Sequence, residues 1–144
     1  MSEVVLSKTF RFESAHRLGK GYDGACANIH GHSFNGDIQV ACSTLDRFDM
    51  GVDFSEIKKF IKIVEDQFDH KLLVYKEDRD LIRFCEASGL AVFVFEDGNP
   101  TSEVIARHIF NQAEAYFRAL NPEIKVSQIT VEETCTSRCV WRAT

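Results

Sequence analysis

Two stretches decide the fold: Thr9-Phe10-Arg11-Phe12-Glu13-Ser14-Ala15-His16 and, further along, His30-Gly31-His32-Ser33-Phe34. In each stretch, apolar residues or histidines alternate with polar residues at a spacing of two, which is typical of a half-buried β-strand. We predict that the first strand begins near Val4 and ends at His16, and that an antiparallel partner runs from His30 to Ser43. The loop between them, residues 17–29, is rich in glycine and contains Cys26, so we expect it to be exposed and to host function.

Two later segments have the periodicity of amphipathic helices. Asp53-Phe54-Ser55-Glu56 has the spacing of a capping box, and apolar residues follow at three- and four-residue steps. This pattern predicts a helix that stops near Asp69-His70. Asn99 before Pro100 predicts the cap and first position of a second long helix, which Asn121-Pro122 ends.

The remaining segments predict short strands and one loop. Val92–Phe95 is aromatic and β-branched, Val126–Glu133 alternates, and Cys139–Arg142 returns as a last strand. Residues 71–91 are charged and of mixed pattern, so we expect a loop with one helical turn at most. The prediction is an α+β fold, an antiparallel sheet in the order ββααββ with two helices on one face. The two open edges of such a sheet favour a homo-oligomer.

Composition and charge exclude several classes of protein. The 144 residues are 44% hydrophobic, with only 8 Gly and 2 Pro, so we expect a single globular domain over residues 1–144. A net charge of −5 without a Lys/Arg cluster excludes nucleic acid as the main partner. No apolar run approaches the roughly 18 residues of a membrane span, and the N-terminus is acidic, so we expect no membrane partner and a cytoplasmic location. Five cysteines, an odd number, favour thiols or metal ligands over a disulfide framework.

Three histidines form a candidate metal site. His30 and His32 lie two apart on a strand, so their side chains project from the same face about 6–7 Å apart. His16, at the end of the neighbouring strand, supplies a third imidazole, and three protein ligands are typical of a catalytic zinc that keeps a fourth position open. The alternative is a chance group of half-buried histidines. Three imidazoles also suit iron or copper.

Cys26 and Asp69-His70 are candidates for chemistry beside that metal. A thiol just before His30 fits a fourth zinc ligand, or a base and nucleophile; the alternative is an inert buried thiol, as we expect for Cys42 and Cys85. Asp69-His70 fits a proton relay, but it equally fits a helix C-terminal cap. His108, in the middle of a helix, is interpreted as surface or structural.

The C-terminal strands add one candidate ligand contact. Glu132 and Glu133 point to opposite faces, so at most one of them faces a given pocket. A buried glutamate that accepts two parallel N–H bonds would recognise the amidine-like edge of a pterin or purine, whereas the alternative is a solvated carboxylate. On one straight strand Cys135 and Cys139 would lie about 13 Å apart, too far for a shared ion or a disulfide. A tight turn between them would reopen that option.

Six blocks of the sequence resemble the 6-pyruvoyltetrahydropterin synthase family, in the family's order and over nearly the whole chain. The short spacing from Cys26 to His30 and the ending Glu133 to Cys139 are most similar to the branch of 6-carboxytetrahydropterin synthases of queuosine biosynthesis. Residues 71–98 are longer than in the short members of that branch and look more like longer members of the wider family. The six blocks are Phe10 to His16, Cys26 to Phe34, Val52 to Phe54, Asp69 to Leu73, Pro100 to Glu103 and Glu133 to Thr136.

The resemblance implies the tunnelling fold, with trimers whose sheets close a barrel and stack into a homohexamer, and with active sites between subunits. A capping role at the start of the second helix fits Thr101 and Glu103 as well as contact with substrate does. The site residues that the resemblance implies are Zn²⁺ ligands His16, His30 and His32; catalytic Cys26, His70 and its orienting partner Asp69; and substrate-binding Glu133, as pterin anchor, with Thr101 and Glu103.

The activity that the resemblance implies is that of a zinc-dependent lyase. It would convert 7,8-dihydroneopterin triphosphate to 6-carboxy-5,6,7,8-tetrahydropterin and release triphosphate and acetaldehyde. One alternative within the family forms 6-pyruvoyltetrahydropterin and triphosphate. Outside the family, the alternatives are a zinc hydrolase or hydratase and a non-catalytic, zinc-stabilised pterin-binding protein. For the triphosphate, candidate cations near the motif loop are Arg11, Arg17 and Lys20.

Overall fold

The computed structural model describes residues 2–19 and 21–144, so Lys20 lies outside the described residues. No helix in the described part is long and apolar enough to cross a membrane. A short 3₁₀ turn at Ala25–Ala27 lies in the loop that carries Cys26. The strands and α-helices follow in the order β1 (Val4–His16), β2 (His30–Cys42), α1 (Phe54–Phe68), β3 (Lys71–Tyr75), α2 (Arg79–Ser88), β4 (Val92–Phe95), α3 (Ser102–Leu120), β5 (Lys125–Thr134) and β6 (Ser137–Arg142).

The strands form one sheet in the order β4-β3-β1-β2-β5-β6. The predicted antiparallel pairing of β1 with β2 is confirmed, with Phe12 opposite Phe34 and His16 opposite His30. The α+β class is also confirmed. The sheet is mixed, however, because β3 runs parallel to both β1 and β4, so the prediction of a purely antiparallel sheet is wrong.

The prediction of a loop over residues 71–91 is wrong, because this segment contains β3 and α2. Leu72 and Val74 pack with Leu81 and Cys85 of α2, whereas Leu73 joins the core under α1 and α3. Alternate residues of a strand face opposite sides of the sheet, so α2 covers the face that the other two helices leave open. A strand buried on both faces shows a continuous apolar run instead of alternation. The fold therefore has three helices on two faces.

The main core lies between the sheet and helices α1 and α3. Phe12 and Phe34 stack with ring centroids 5.0 Å apart, and Phe12 also contacts Phe68 of α1 at 5.1 Å. A Cβ at Gly36 would lie 2.1 Å from the carbonyl oxygen of Thr130, so the close approach of β2 and β5 requires glycine there.

The two long helices begin at side-chain caps. Asp53 accepts the Ser55 N–H at 2.8 Å, which confirms the predicted start of α1. The predicted cap Asn99 is wrong by two residues: its side chain accepts the Gly19 N–H at 3.0 Å, and Thr101 caps α3 by accepting the Val104 N–H at 3.2 Å. The capping interpretation of Thr101 is thus confirmed.

Strands β5 and β6 form a hairpin whose turn lies at residues 135–136. Cys135 and Cys139 therefore do not lie on one straight strand. All five cysteines are free thiols, as expected. The hairpin pairing is irregular between Glu132 and Thr134, immediately around Glu133.

Candidate active site

The predicted convergence of His16, His30 and His32 is confirmed. The three rings lie at one end of the helix-facing side of β1 and β2, with centroid separations of 4.7, 4.9 and 5.1 Å. One ligand nitrogen from each ring lies within 4.8 Å of the others. Strand pairing produces this cluster, since His16 is opposite His30 in the register and His32 is the next residue on the same face.

Backbone carbonyls orient two of the imidazoles. His16 Nδ1 lies 2.6 Å from the Pro100 carbonyl oxygen, and His30 Nδ1 lies 2.7 Å from that of Asn28. A carbonyl oxygen only accepts, so each Nδ1–H donates and each Nε2 keeps its lone pair in the neutral ring. Burial lowers the pKa of His16, which favours that neutral form.

The histidine cluster fits a metal ion. The Nε2 atoms of His16 and His32 are buried and have no hydrogen-bond partner within the described part of the chain. A buried polar atom without a partner is costly, so these nitrogens call for a ligand. Three imidazoles, two of them held by hydrogen bonds through Nδ1, are a donor set that zinc, iron or copper accepts.

Glu133 is the carboxylate nearest to this cluster. Its two oxygens lie 3.9 Å from His16 Nε2 and 3.9 Å from His32 Nε2, respectively. Glu132 instead pairs with Arg138 at 3.3 Å. As predicted for neighbours on a strand, only one of the two glutamates faces the histidines.

A cavity of about 360 Å³ opens beside the cluster. It brings together predicted residues from four parts of the chain: the end of β1, the loop before β2, the start of α3 and the end of β5. The predicted site residues that line it are His16, His30, Cys26, Thr101, Glu103 and Glu133.

Cys26 is exposed at the edge of this cavity. The alternative of an inert, buried thiol therefore does not apply to Cys26. Cys42 and Cys85 are buried, and burial raises the pKa of both thiols, as expected for inert cysteines. The backbone of Cys26 is anchored by its carbonyl oxygen, which accepts the Leu18 N–H at 2.8 Å. The cluster of converging ligand atoms contains the three histidines without the Cys26 sulfur.

Asp69 and His70 form a hydrogen-bonded dyad that is also a helix cap. Asp69 accepts from His70 Nδ1 at 2.8 Å and from the Glu13 N–H at 2.9 Å, and these two bonds hold the pKa of Asp69 below its usual value. The Asp69 N–H donates to the Glu65 carbonyl, so the capping interpretation holds too. His70 has φ of +57°, a left-handed conformation that is unfavourable for a residue with a side chain and often marks a functional position.

Within one chain, the dyad does not meet Cys26. The His70 side chain is 81% exposed and borders an open groove with Glu13, Ser33 and Lys71, outside the cavity that Cys26 lines. Sequence order does not reveal this separation, because it depends on which side of β1 each segment reaches.

Of the candidate cations for a triphosphate, Arg11 and Arg17 lie away from this cavity, and Lys20 is outside the described residues. Arg17 is bound by Asp78 on the other face of the sheet, and Arg11 pairs with Glu13 at 3.0 Å, away from the cavity. Arg138, which the sequence does not single out, lines the cavity instead. Arg138 belongs to the family-like ending Glu133 to Cys139, but its spacing does not predict a contact with the cavity, since the β5–β6 turn brings it there.

His108 has a structural environment, one of the two that the sequence predicts for it. It lies half-buried among Phe68, Phe93 and Phe95, with Nε2 3.1 Å from the Gln67 side-chain oxygen. Burial lowers its pKa. It lies outside the cavity of the histidine cluster.

Known proteins share both the sequence and the fold of this chain. The family model for 6-pyruvoyl tetrahydropterin synthase matches residues 5–144. A 6-carboxy-5,6,7,8-tetrahydropterin synthase of Bacillus subtilis is 34% identical over 137 residues, which span 95% of this chain and 84% of the relative.

Two solved structures confirm the predicted tunnelling fold. The 6-pyruvoyl tetrahydropterin synthase of Plasmodium falciparum has a TM-score of 0.74 at 19% identity and covers 99% of both chains. That of Caenorhabditis elegans has a TM-score of 0.68 at 23% identity and covers 100% of this chain and 98% of its own. At these identities the two structures show the fold alone, whereas the sequence matches show the family. The chain belongs to the 6-pyruvoyl tetrahydropterin synthase family.

Proposed function

We propose that this chain is a zinc-dependent lyase that converts 7,8-dihydroneopterin triphosphate to 6-carboxy-5,6,7,8-tetrahydropterin, with release of triphosphate and acetaldehyde. The observation that carries the proposal is one cavity where an exposed thiol and a carboxylate meet His16 and His30, two members of a three-histidine cluster. Within the described residues, two buried nitrogens of that cluster, His16 Nε2 and His32 Nε2, have no hydrogen-bond partner. The name of the Bacillus subtilis relative supports the choice of product. In this proposal, residues 1–144 act as one domain, in the cytoplasm and in queuosine biosynthesis.

His16, His30 and His32 would hold the zinc through Nε2. Bound there, a zinc ion supplies Lewis-acid chemistry that polarises an oxygen of the substrate side chain. The hydrogen bonds from Nδ1 to backbone carbonyls keep the His16 and His30 rings in the ligating orientation.

Glu133 would anchor the pterin. Its carboxylate is half-buried and accepts two parallel N–H bonds from an amidine-like edge, which fixes the ring in the cavity. Glu103 and Thr101, at the start of α3, line the same cavity and would contact the substrate from another side. The Thr101 hydroxyl can do so while it caps α3, because its oxygen accepts the Val104 N–H and its own proton remains available.

Cys26 would move protons on the substrate side chain. The exposed sulfur, in its thiolate form, would take a proton from a carbon next to a polarised oxygen, and triphosphate would then leave by elimination. Retro-aldol cleavage of the remaining side chain would release acetaldehyde, with a water molecule supplying the second carboxylate oxygen. The cavity position of Cys26 beside His30 supports this role.

The relay requires a second subunit. Asp69-His70 lies outside the cavity of its own chain, so we propose that it completes the site of a neighbouring subunit in a homohexamer built as a dimer of trimers. Strands β4 and β6 are the edges of the sheet and offer unpaired backbone groups for such an assembly.

Arg138 would contact the triphosphate. Among the described residues that line the cavity, it supplies the one Lys or Arg side chain. The Arg138 side chain is 66% exposed, and its partner Glu132 lines a different groove. An ion pair with so exposed an arginine contributes little, so Arg138 can exchange it for a phosphate oxygen, which arginine binds in a bidentate geometry. Arg138→Gln should raise KM for the triphosphate substrate, while Arg142→Gln, on the same strand, should leave it unchanged.

Product analysis tests the proposed function. Zinc-loaded protein is incubated with 7,8-dihydroneopterin triphosphate, the pterin is identified by mass spectrometry and acetaldehyde is trapped. We expect 6-carboxy-5,6,7,8-tetrahydropterin and one acetaldehyde per turnover. 6-Pyruvoyltetrahydropterin without acetaldehyde would establish the alternative product. Hydrolysis that survives loss of Cys26 and Glu133 would indicate a zinc hydrolase, and bound but unreacted pterin would indicate a binding protein.

A further inference from the structure

We propose that the ion pair between Arg17 and Asp78 is a clamp that positions the loop carrying Cys26 beside the histidine cluster. Both are positioning residues, since neither lines the cavity. The geometric part of this inference stands on the fold alone, and its kinetic part rests on the proposed function.

The pair has the geometry of a two-point attachment. Arg17 Nε donates to one Asp78 carboxylate oxygen at 2.8 Å, and its Nη2 donates to the other at 2.7 Å. The two residues are 61 positions apart in the sequence, and the Asp78 side chain is only 5% exposed. A bidentate arginine–carboxylate pair fixes the direction of the side chain as well as its distance, which a lysine does not do.

Arg17 stands between two residues that the active site uses. His16 before it is a proposed zinc ligand, and Leu18 after it donates its N–H to the Cys26 carbonyl at 2.8 Å. Gly19, next in line, donates its N–H to the Asn99 side chain at 3.0 Å. The chain after β1 is therefore held residue by residue, and Cys26 is attached to the held segment through Leu18.

The clamp reaches this segment from the opposite face of the sheet. Side chains alternate along an extended chain, so His16 faces α3 while Arg17 faces α2. Asp78 is the N-cap of α2, where the same carboxylate accepts the Leu81 N–H at 3.4 Å. The segment that the sequence leaves without a role, residues 71–98, thus has one: it places a buried carboxylate under the first residue of the loop.

Stability alone does not explain this pair. Taking two charges out of water offsets most of their attraction, so a buried ion pair contributes little net stability compared with apolar side chains. Hydrogen bonding to Arg17 nevertheless holds the pKa of Asp78 below its usual value, so the carboxylate stays charged. What the pair does supply is a fixed geometry for Arg17.

The test removes the clamp without leaving a buried charge unpaired. In the double variant Arg17→Met with Asp78→Asn, the asparagine can still cap α2, since its side-chain oxygen remains an acceptor for Leu81. Arg17→Lys keeps the charge and loses the two-point attachment. Asp97→Asn is the matched control, because it breaks the Arg107–Asp97 pair of 2.8 Å, which does not touch the loop.

Two readouts are measured on the zinc-loaded proteins, amide hydrogen exchange at Leu18 and the separate values of kcat and KM. In the double variant we expect exchange at Leu18 to accelerate about tenfold or more while the β1–β2 core stays protected. We expect kcat to fall about 10- to 100-fold, with KM and zinc content nearly unchanged, because the thiol is displaced from its working position. For Arg17→Lys we expect an exchange rate at Leu18 and a kcat between those of the wild type and the double variant. For Asp97→Asn both values should equal those of the wild type.

If the Leu18 amide of the double variant exchanged at the same rate as in the wild type, the clamp would be overturned. Equal acceleration across the whole of β1 and β2 would overturn it too, because that result describes a merely structural pair. If the wild-type protein makes no pterin product, the exchange comparison still decides the clamp, so failure of the proposed function is distinguished from failure of this inference.

Discussion

The helix-facing side of β1 and β2 carries phenylalanine side chains at one end and histidine side chains at the other, on the same pair of strands. At one end, Phe10 and Phe12 stack at 6.1 Å, and Phe12 stacks on Phe34 at 5.0 Å. At the other end the same alternate positions hold His16, His30 and His32, and Phe34 touches the rings of both His16 and His32. The aromatic packing continues from one end to the other without a gap.

The two ends differ in whether their buried side chains have all their interaction partners. A phenylalanine in the core is satisfied by its contacts, whereas the Nε2 atoms of His16 and His32 are buried without a hydrogen-bond partner among the described residues. An unpartnered buried nitrogen costs free energy, so the histidine end lowers stability unless a ligand is bound. In the proposed function, one pair of strands thus separates folding from function: the phenylalanine end stabilises the fold, and the histidine end would bind the metal.

Loss of one histidine should have the largest effect. His32→Ala removes a donor from the cluster, so we expect zinc content to fall well below one ion per chain and turnover to fall to background. The fold should remain, as near-ultraviolet circular dichroism would show. His108→Ala, which removes a half-buried histidine outside the cavity, should keep its zinc. Full turnover in His32→Ala would contradict the assignment of the histidine end.

Loss of the thiol should have the next largest effect. Cys26→Ala leaves the three histidines in place, so zinc content should be unchanged while kcat falls about 10²- to 10⁴-fold, the range of a missing acid–base group. Cys135→Ala, at an exposed cysteine of the β5–β6 turn, is the control and should leave kcat unchanged. Loss of zinc in Cys26→Ala would instead make this thiol a fourth ligand.

At the phenylalanine end, the effect should fall on folding. Phe12 is 1% exposed, so Phe12→Ala should lower the free energy of unfolding by about 3–5 kcal/mol through lost burial and a cavity. Phe48→Ala, at a residue 63% exposed, should cost less than about 0.5 kcal/mol. Urea unfolding of the metal-free proteins measures both. If Phe12→Ala lowered turnover without lowering stability, the two ends would not be separate.

Replacement of His108, which lies outside the histidine cluster, should have the smallest effect, a change in how stability depends on pH. Burial depresses the pKa of His108 in the folded protein, so the unfolded state binds more protons just below pH 6.5. The stability from neutral His108 is complete above about pH 6.5 and is lost as pH falls toward the folded pKa. His108→Gln should therefore show a smaller loss of stability from pH 7 to pH 5 than the wild type, in metal-free samples. An identical pH profile would contradict a buried, neutral His108.

The local parts of this structure are predictable from the sequence, and the long-range parts are not. The alternation that ends at His16 and resumes at His30 predicts both strands and the histidine cluster, because pairing and side-chain direction follow from a period of two. Strand β3 is missed because it is buried on both faces and shows no alternation. The partner of Arg17 is missed for another reason: it lies 61 residues away.

The separation of Asp69-His70 from Cys26 within one chain is likewise not predictable from local sequence. Asp69-His70 and Cys26 are both marked by the sequence, and the chain places them on different surfaces. Spacing along the chain carries no information about that, since β1 lies between them. The start of α3 shows the same limit on a smaller scale, because Asn99 is used by Gly19 and Thr101 becomes the cap.

Zinc reconstitution tests the central claim most directly. Metal-free protein is titrated with Zn²⁺ while turnover of 7,8-dihydroneopterin triphosphate and near-ultraviolet circular dichroism are recorded on the same sample. We predict that the metal-free protein is folded and inactive, and that turnover rises linearly and stops at one zinc per chain without a change in the spectrum. Unfolding of the metal-free protein, or turnover that does not depend on zinc, would contradict the claim that the histidine end serves function while the phenylalanine end holds the fold.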